Sequence, residues 1–183
     1  TAIAAGTAGN VGATGTAGDA AAAGSIAQGC QKRPTAAAHW RRPWDLLDAT
    51  RFGALLVADI ETVAGAWRPE ECRSLPAGSA HVGAAALHLH ASASIGAGCI
   101  FDTTEGPILV SAGAQVRHGA VITGPAFIGA KCIVGDRAVL KPRTALGPQC
   151  RASGEIGSVI FQGCSNKAHE GHLGDALVGE WVN

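Results

Sequence analysis

The stretch SNKAHEGHLGDALVGEWVN, Ser165 to Asn183, concentrates the residue types that do chemistry. It holds Lys167, His169 and His172, the carboxylates Glu170, Asp175 and Glu180, and Asn183, with Glu155 a short way upstream. An imidazole with the usual pKa of ~6.5 can take a proton from an attacking group at neutral pH. An amide N–H can hold the oxyanion that forms in acyl transfer. Three convergent imidazoles with an open fourth position would instead hold zinc. The carboxylates read as a solvated rim, with Asp175 the one that has a claim to more. Which chemistry applies depends on the scaffold that places these side chains.

Upstream, the chain keeps a period of six. Leu89, Ile95 and Phe101 fall six apart, and after the insertion DTTEGPIL the count resumes at Val110, Val116, Ile122, Ile128, Val134, Leu140 and Leu146. Two places earlier stand Ala93, Cys99, Ile108, Ala114, Ala120, Ala126, Cys132, Ala138 and Thr144, and glycines follow within a few places. Six is the period of neither a helix nor an alternating strand. It predicts a parallel β-helix in which each hexad gives one short strand and one turn, and three hexads close one coil. The small residue lets each corner close, so Cys99, Cys132 and Cys150 read as compact buried hydrophobes.

The rest of the chain divides around this repeat. Residues 1–38, almost pure Ala, Gly, Thr and Ser, read as a low-complexity, poorly ordered segment. Residues 39–75 predict a helical linker: Pro43 can open a helix, and Leu46, Leu47, Leu55, Leu56 and Ile60 can share a face that docks on something else. Residues 76–183 form the β-helix. Fourteen basic residues balance 14 acidic ones, without the basic cluster that nucleic-acid binding needs. The longest apolar run, roughly Phe52 to Ala58, is too short for a membrane span, and the first residues lack the basic n-region and apolar core expected of a secretory signal. Six cysteines without a CxxC pair suit a reduced, cytoplasmic chain. No methionine occurs, even at position 1, which leads us to expect a piece of a longer protein.

The hexad rule resembles that of the bacterial hexapeptide-repeat transferases, whose fold is a left-handed parallel β-helix. Three stretches, RPWDLLDATRFGALL, FDTTEGPILV and GCSNKAHEGHLGDALVGEWVN, resemble the GlmU-like sugar-phosphate nucleotidyltransferases. The resemblance implies a linker helix that leaves a nucleotidyltransferase domain. It also implies a β-helix that transfers an acetyl group from acetyl-CoA to an amino-sugar 1-phosphate, within a homotrimer. The family's phosphate-binding loop is missing, since GTAGNVGATGTAG lacks a following Arg or Lys. Nucleotidyl transfer, its nucleotide substrate and its Mg2+ are therefore expected of the longer protein alone. Aligned on Gly174-Asp175-Ala176, His169 falls at the family's catalytic histidine. His172 falls at a substrate-contacting tyrosine and Asn183 at an asparagine, while Lys167 matches the family lysine one place off. Lys167 and Arg143 are expected to bind the sugar phosphate. The family's coenzyme-binding turns would follow Asn183, so the β-helix is expected to be truncated there.

Two rival readings stay open. One is a zinc carbonic-anhydrase-like β-helix, for which His88 and His90 on one strand and the pair His169 and His172 are the available imidazoles. The spacing of those enzymes is absent, and His39, His81 and His118 read as packed or solvated. The other is a non-catalytic trimerising or ligand-binding scaffold. The insertion DTTEGPI is expected to pack against the upstream domain rather than reach a site.

Overall fold

The computed structural model describes residues 42–183, and the low-complexity reading of 1–38, with His39, lies outside the described residues. Most of the described chain is a left-handed parallel β-helix of about six coils, preceded by one short helix. The first coil holds β1 (Ala80–Val82), β2 (Leu87–Leu89) and β3 (Ser94–Ile95). The second holds β4 (Ile100–Asp102), β5 (Ile108–Val110) and β6 (Gln115–Val116), and the third β7 (Val121–Thr123), β8 (Ala126–Ile128) and β9 (Ile133–Val134). The fourth holds β10 (Val139–Leu140), β11 (Thr144–Leu146) and β12 (Arg151–Ala152). In the fifth, β13 (Glu155–Phe161) runs round a corner and is followed by β14 (Asn166–Lys167). The sixth opens with β15 (His172–Val178), which also turns a corner.

Each strand pairs in parallel with its counterparts one coil before and one coil after, which makes a three-faced prism. The first face stacks β1, β4, β7, β10 and the starts of β13 and β15. The second stacks β2, β5, β8, β11 and the ends of β13 and β15. The third stacks β3, β6, β9, β12 and β14.

The periodic residues fill the inside. Phe101, Val110, Ile122, Ile128, Val134, Leu140 and Leu146 are buried, and so are the smaller Ala93, Cys99, Ala114, Ala120, Cys132 and Ala138 beside them. Burial pushes the Cys99 thiol up, and contact with Cys150, then burial, pushes Cys132 up. These thiols therefore stay neutral and act as packing groups.

The corners follow a rule that the hexads alone do not state. Between the second and third faces, Gly113, Lys131, Gln149, Cys164 and Trp181 stack with φ from 50° to 67°. Between the first and second, Arg143, Ser158 and Asp175 do the same at 46° to 63°. Non-glycine residues pay about 1–2 kcal/mol for that left-handed conformation, which the coil ladders on either side must offset. Other glycines serve close approach instead: a methyl on Gly147 would run into the Gln162 carbonyl of the next coil.

Coil length varies. Phe101 lies opposite Ile122, 21 residues on, whereas Ile122 lies opposite Leu140, 18 on. The extra residues are the DTTEGPI insertion, and they stack on the corner of the first coil rather than reaching the far end. Thr103, fully buried there, gives its hydroxyl to the Val82 carbonyl at 3.1 Å and lies 2.9 Å from His81 Nε2.

The α-helix, α1 (Ala49–Ala64), is capped by Asp48, whose carboxylate accepts the Arg51 N–H at 3.0 Å. Its buried face turns on Phe52, Leu56 and Ile60, spaced by four, while Leu55 is only half-buried. That face docks on the outside of the second face, against Leu109, Phe127, Ala145 and Ile160. Burying each large apolar side chain contributes about 1.5–3 kcal/mol, so this second core anchors the helix. Beyond it, an antiparallel bridge from Cys72 to His90 brings Leu75 against the inner core, which covers the first coil.

Candidate functional site

The hexad register that builds the core also places the polar residues near Ser165. On the third face the inward row runs Ile95, Val116, Val134, Ala152 and then Lys167. A lysine thus occupies an apolar position, above the smallest member of its row. Its ammonium donates to the Ser153 carbonyl at 2.7 Å and to the His169 carbonyl at 2.8 Å. Two of its three protons are used, and the second of these bonds holds the turn that carries His169.

The next inward residue before it is also polar. The hydroxyl of Ser165, 1% exposed, donates to the Gly179 carbonyl at 2.6 Å and accepts the Val182 N–H at 3.1 Å. This clamps the last turn onto the coil below. Asn166 then donates through Nδ2 to Asn183 Oδ1 at 2.9 Å, while its own Oδ1 is buried and has no partner. A buried carbonyl oxygen without a donor costs about 1–3 kcal/mol, so the site carries an open demand for one.

These residues surround a hollow of about 470 Å³ at the end of the solenoid, floored by Phe161, Leu173, Val178 and Val182. Lys167, His169, His172 and Asn183, four of the five residues singled out in the sequence, all line it. The fifth does not. Arg143 sits at a corner over Gly53 of α1, where Nε and Nη2 donate to Ser158 Oγ at 3.1 and 2.9 Å. It lines a different hollow, with Ala49, Val57, Glu105 and Pro125.

The two histidines are equipped differently. His172 Nδ1 lies 3.2 Å from Glu155 Oε1, and Lys141 Nζ lies 2.6 Å from the same oxygen. The Lys141 hydrogen bond and charge, with a smaller part from His172, hold the Glu155 carboxyl below its usual range. Val139, Glu155 and His172 stand in one register row on the first face, so this chain of charges follows from the coil stacking. Glu155 was read in the sequence only as part of a solvated rim, and Lys141 was not singled out there. The signal was the 17-residue step from Glu155 to His172, legible only once coil lengths are known. His172 Nε2 is tucked against its own strand, where a methyl on Gly174 would meet it at 2.7 Å. His169, by contrast, is exposed at the rim, and among the described residues its ring makes no hydrogen bond.

The other imidazoles are far from this end. His88 and His90 belong to the first coil, where His88 Nε2 lies 3.7 Å from Glu61 and His90 meets the Trp67 ring edge-on. Among the described residues no three His, Cys, Asp or Glu side chains gather to hold a metal. No described helix is long and apolar enough to cross a membrane. No family model, curated protein or solved structure matches the chain.

Proposed function

We propose that the chain is the β-helical part of a cytoplasmic GlmU-like sugar-1-phosphate nucleotidyltransferase, and that its end hollow is the acceptor side of an amino-sugar-phosphate acyltransferase-type site. The convergence of Lys167, His169, His172 and Asn183 on one hollow carries this reading. Acetyl-CoA would serve as the acyl donor. The attacking amine must lose a proton as the thioester carbonyl becomes tetrahedral. His169, with its ring free, is the acceptor for that proton. Asn183 has its oxygen taken by Asn166, which leaves its own amide N–H to face the oxyanion. The unpartnered Asn166 oxygen suits a sugar hydroxyl or N–H. His172, held by Glu155, is a substrate contact whose tautomer is set with the proton on Nδ1. Lys167 positions the His169 turn and keeps one N–H for the ligand.

The test is release of the coenzyme A thiol from acetyl-CoA with a panel of amino-sugar 1-phosphates. Release should depend on the sugar and fall about 10²- to 10⁴-fold in His169→Ala. Unchanged release in that variant would remove His169 from the role. No release from the intact chain would favour a scaffold.

One observation supports that second reading and also the homotrimer. The outward row of the first face runs Ile100, Val121 and Val139, with Ile100 39% and nearby Val82 50% exposed. Such a flat apolar row suits contact with further copies of the chain. Sedimentation should report a trimer that Val121→Lys dissociates.

A further inference from the structure

A ligand with a phosphate needs more cationic capacity than the end hollow offers. Lys167 has already given two protons to backbone carbonyls, and Arg143 stands on another side of the prism. The third face supplies what is missing. Arg117 and Arg151 are both exposed there and make no ion pair or side-chain hydrogen bond among the described residues.

Their placement follows from register. One residue beyond the stacked Val116, Val134 and Ala152 stand Arg117, Gly135 and Ser153. One residue before them stand Gln115, Ile133 and Arg151. Gly135 therefore leaves a gap in the outward row, with Arg117 one coil below, Ser153 one coil above and Arg151 on the diagonal. Adjacent coils lie about 4.8 Å apart and residues along a strand about 3.3 Å, so the two guanidinium groups spring from backbones roughly 12 Å apart and flank the gap. The Ser153 hydroxyl leans over it, since a methyl on Gly135 would collide with Ser153 Oγ. The result is a polar hollow of about 250 Å³ with one carboxylate, Asp136, at its rim. Two guanidinium groups against one carboxylate leave it cationic. Ala168 lines this hollow and the end hollow alike, so the two adjoin.

We propose that Arg117, Arg151 and Ser153 form a phosphate-binding site that holds the phosphate of a ligand whose reacting end lies in the end hollow. The anion site stands on its own geometry, and its assignment as a subsite of acyl transfer rests on the reading above. The phosphate can belong to the sugar 1-phosphate or to the coenzyme, which offer the same chemistry. Planar guanidinium donors suit it better than a lysine would, because they match phosphate oxygens in pairs.

The experiment follows the arginine Nε–H signals of the full chain by NMR during titration with inorganic phosphate. Arg117 and Arg151 should move together along one saturating curve while Arg143 stays still. The double variant R117Q/R151Q should lose about tenfold or more in affinity, and R117K/R151K should keep part of it. Both positions are exposed, so an unchanged thermal melt is expected to accompany the loss. Non-saturating shifts, or binding that survives in R117Q/R151Q, would overturn the site. Glucosamine 1-phosphate, coenzyme A and dephospho-coenzyme A then separate the sources. Movement with the sugar phosphate assigns the sugar, and movement with coenzyme A but not its dephospho form assigns the donor. If neither moves the two arginines, the subsite role is wrong. If phosphate binds but the intact chain releases no thiol, the acyltransferase reading fails and the anion site stands.

Discussion

Coils two to four and coils five to six share one backbone rule but fill it differently. In the former, the inward rows are apolar except for Thr144, whose hydroxyl is given to the Lys141 carbonyl at 2.8 Å, and the step between the last two coils is 18 residues on all three faces. In the latter, Leu146 faces Phe161 and Ala152 faces Lys167 only 15 residues on, and the next step is 17. Lys167 takes a position that Ala152 and Val134 hold below it, and Ser165 one that Cys150 and Cys132 hold. The regular coils gain stability from a dry interior. The last two give up part of it to set polar groups at fixed points, which is the pattern expected where local rules yield to a site.

The largest test of this contrast is a pair of truncations. Ile128→Ala, at a fully buried position of the third coil, should cost about 2–5 kcal/mol in urea unfolding. Leu173→Ala, in the partly buried sixth coil, should cost roughly 1–2 kcal/mol. Equal losses would mean that the end coil is packed like the middle, and the distinction would collapse. Lys167→Met comes next. It restores an apolar residue to the row but strips the Ser153 and His169 carbonyls of their donor, for a net loss of about 1 kcal/mol. Amide exchange should speed up over 153–183 and stay unchanged over 108–146. A uniform change would place Lys167 in the common core instead.

The smallest effect concerns pH. Glu155 has its folded pKa depressed below 4.5, chiefly by Lys141. Its contribution is therefore fully present above pH 4.5 and is lost as pH falls through the lower folded value. Asp102 and Glu71 are lowered too, through Thr104 and Arg68 respectively, so the acid limb is shared. Glu155→Gln should flatten that limb slightly, and more so in the last two coils than in the first. A steeper limb in the variant would mean that the carboxylate is not stabilised by Lys141 and His172.

The periodicity made the inner core legible from Leu89 to Leu146 because a solenoid repeats one environment. It could not reveal the second core. Leu109, Phe127 and Ile160 face outward, and their apolar character makes sense only when α1 lies over them. The helix was readable as a docking element, but its target was not, since nothing local links Phe52 to Phe127. At the site, His169, His172, Lys167 and Asn183 could be grouped by proximity in sequence. Arg143 could not be placed that way, because corner geometry turns it toward Gly53 and Ser158. The meeting of Lys141 and His172 at Glu155 was hidden for a related reason. It depends on coil length, and the period shortens after Ala152, just where extrapolation from the regular hexads ends. Arg117 and Arg151 meet within the regular 18-residue step, and the hexads, which track only inward residues, did not single them out.

Because each coil bonds only to its immediate neighbours, the solenoid can gain or lose order in steps of one coil. A ligand seated among Lys167, His169, His172 and Asn183 touches only the fifth and sixth coils. At 100 times its Kd it would add about 2.7 kcal/mol. In a quasi-one-dimensional stack that increment falls first on the coils it touches and only through them on the rest. Occupancy would therefore be written locally, as slower amide exchange in two coils, before it appears in the melt of the whole.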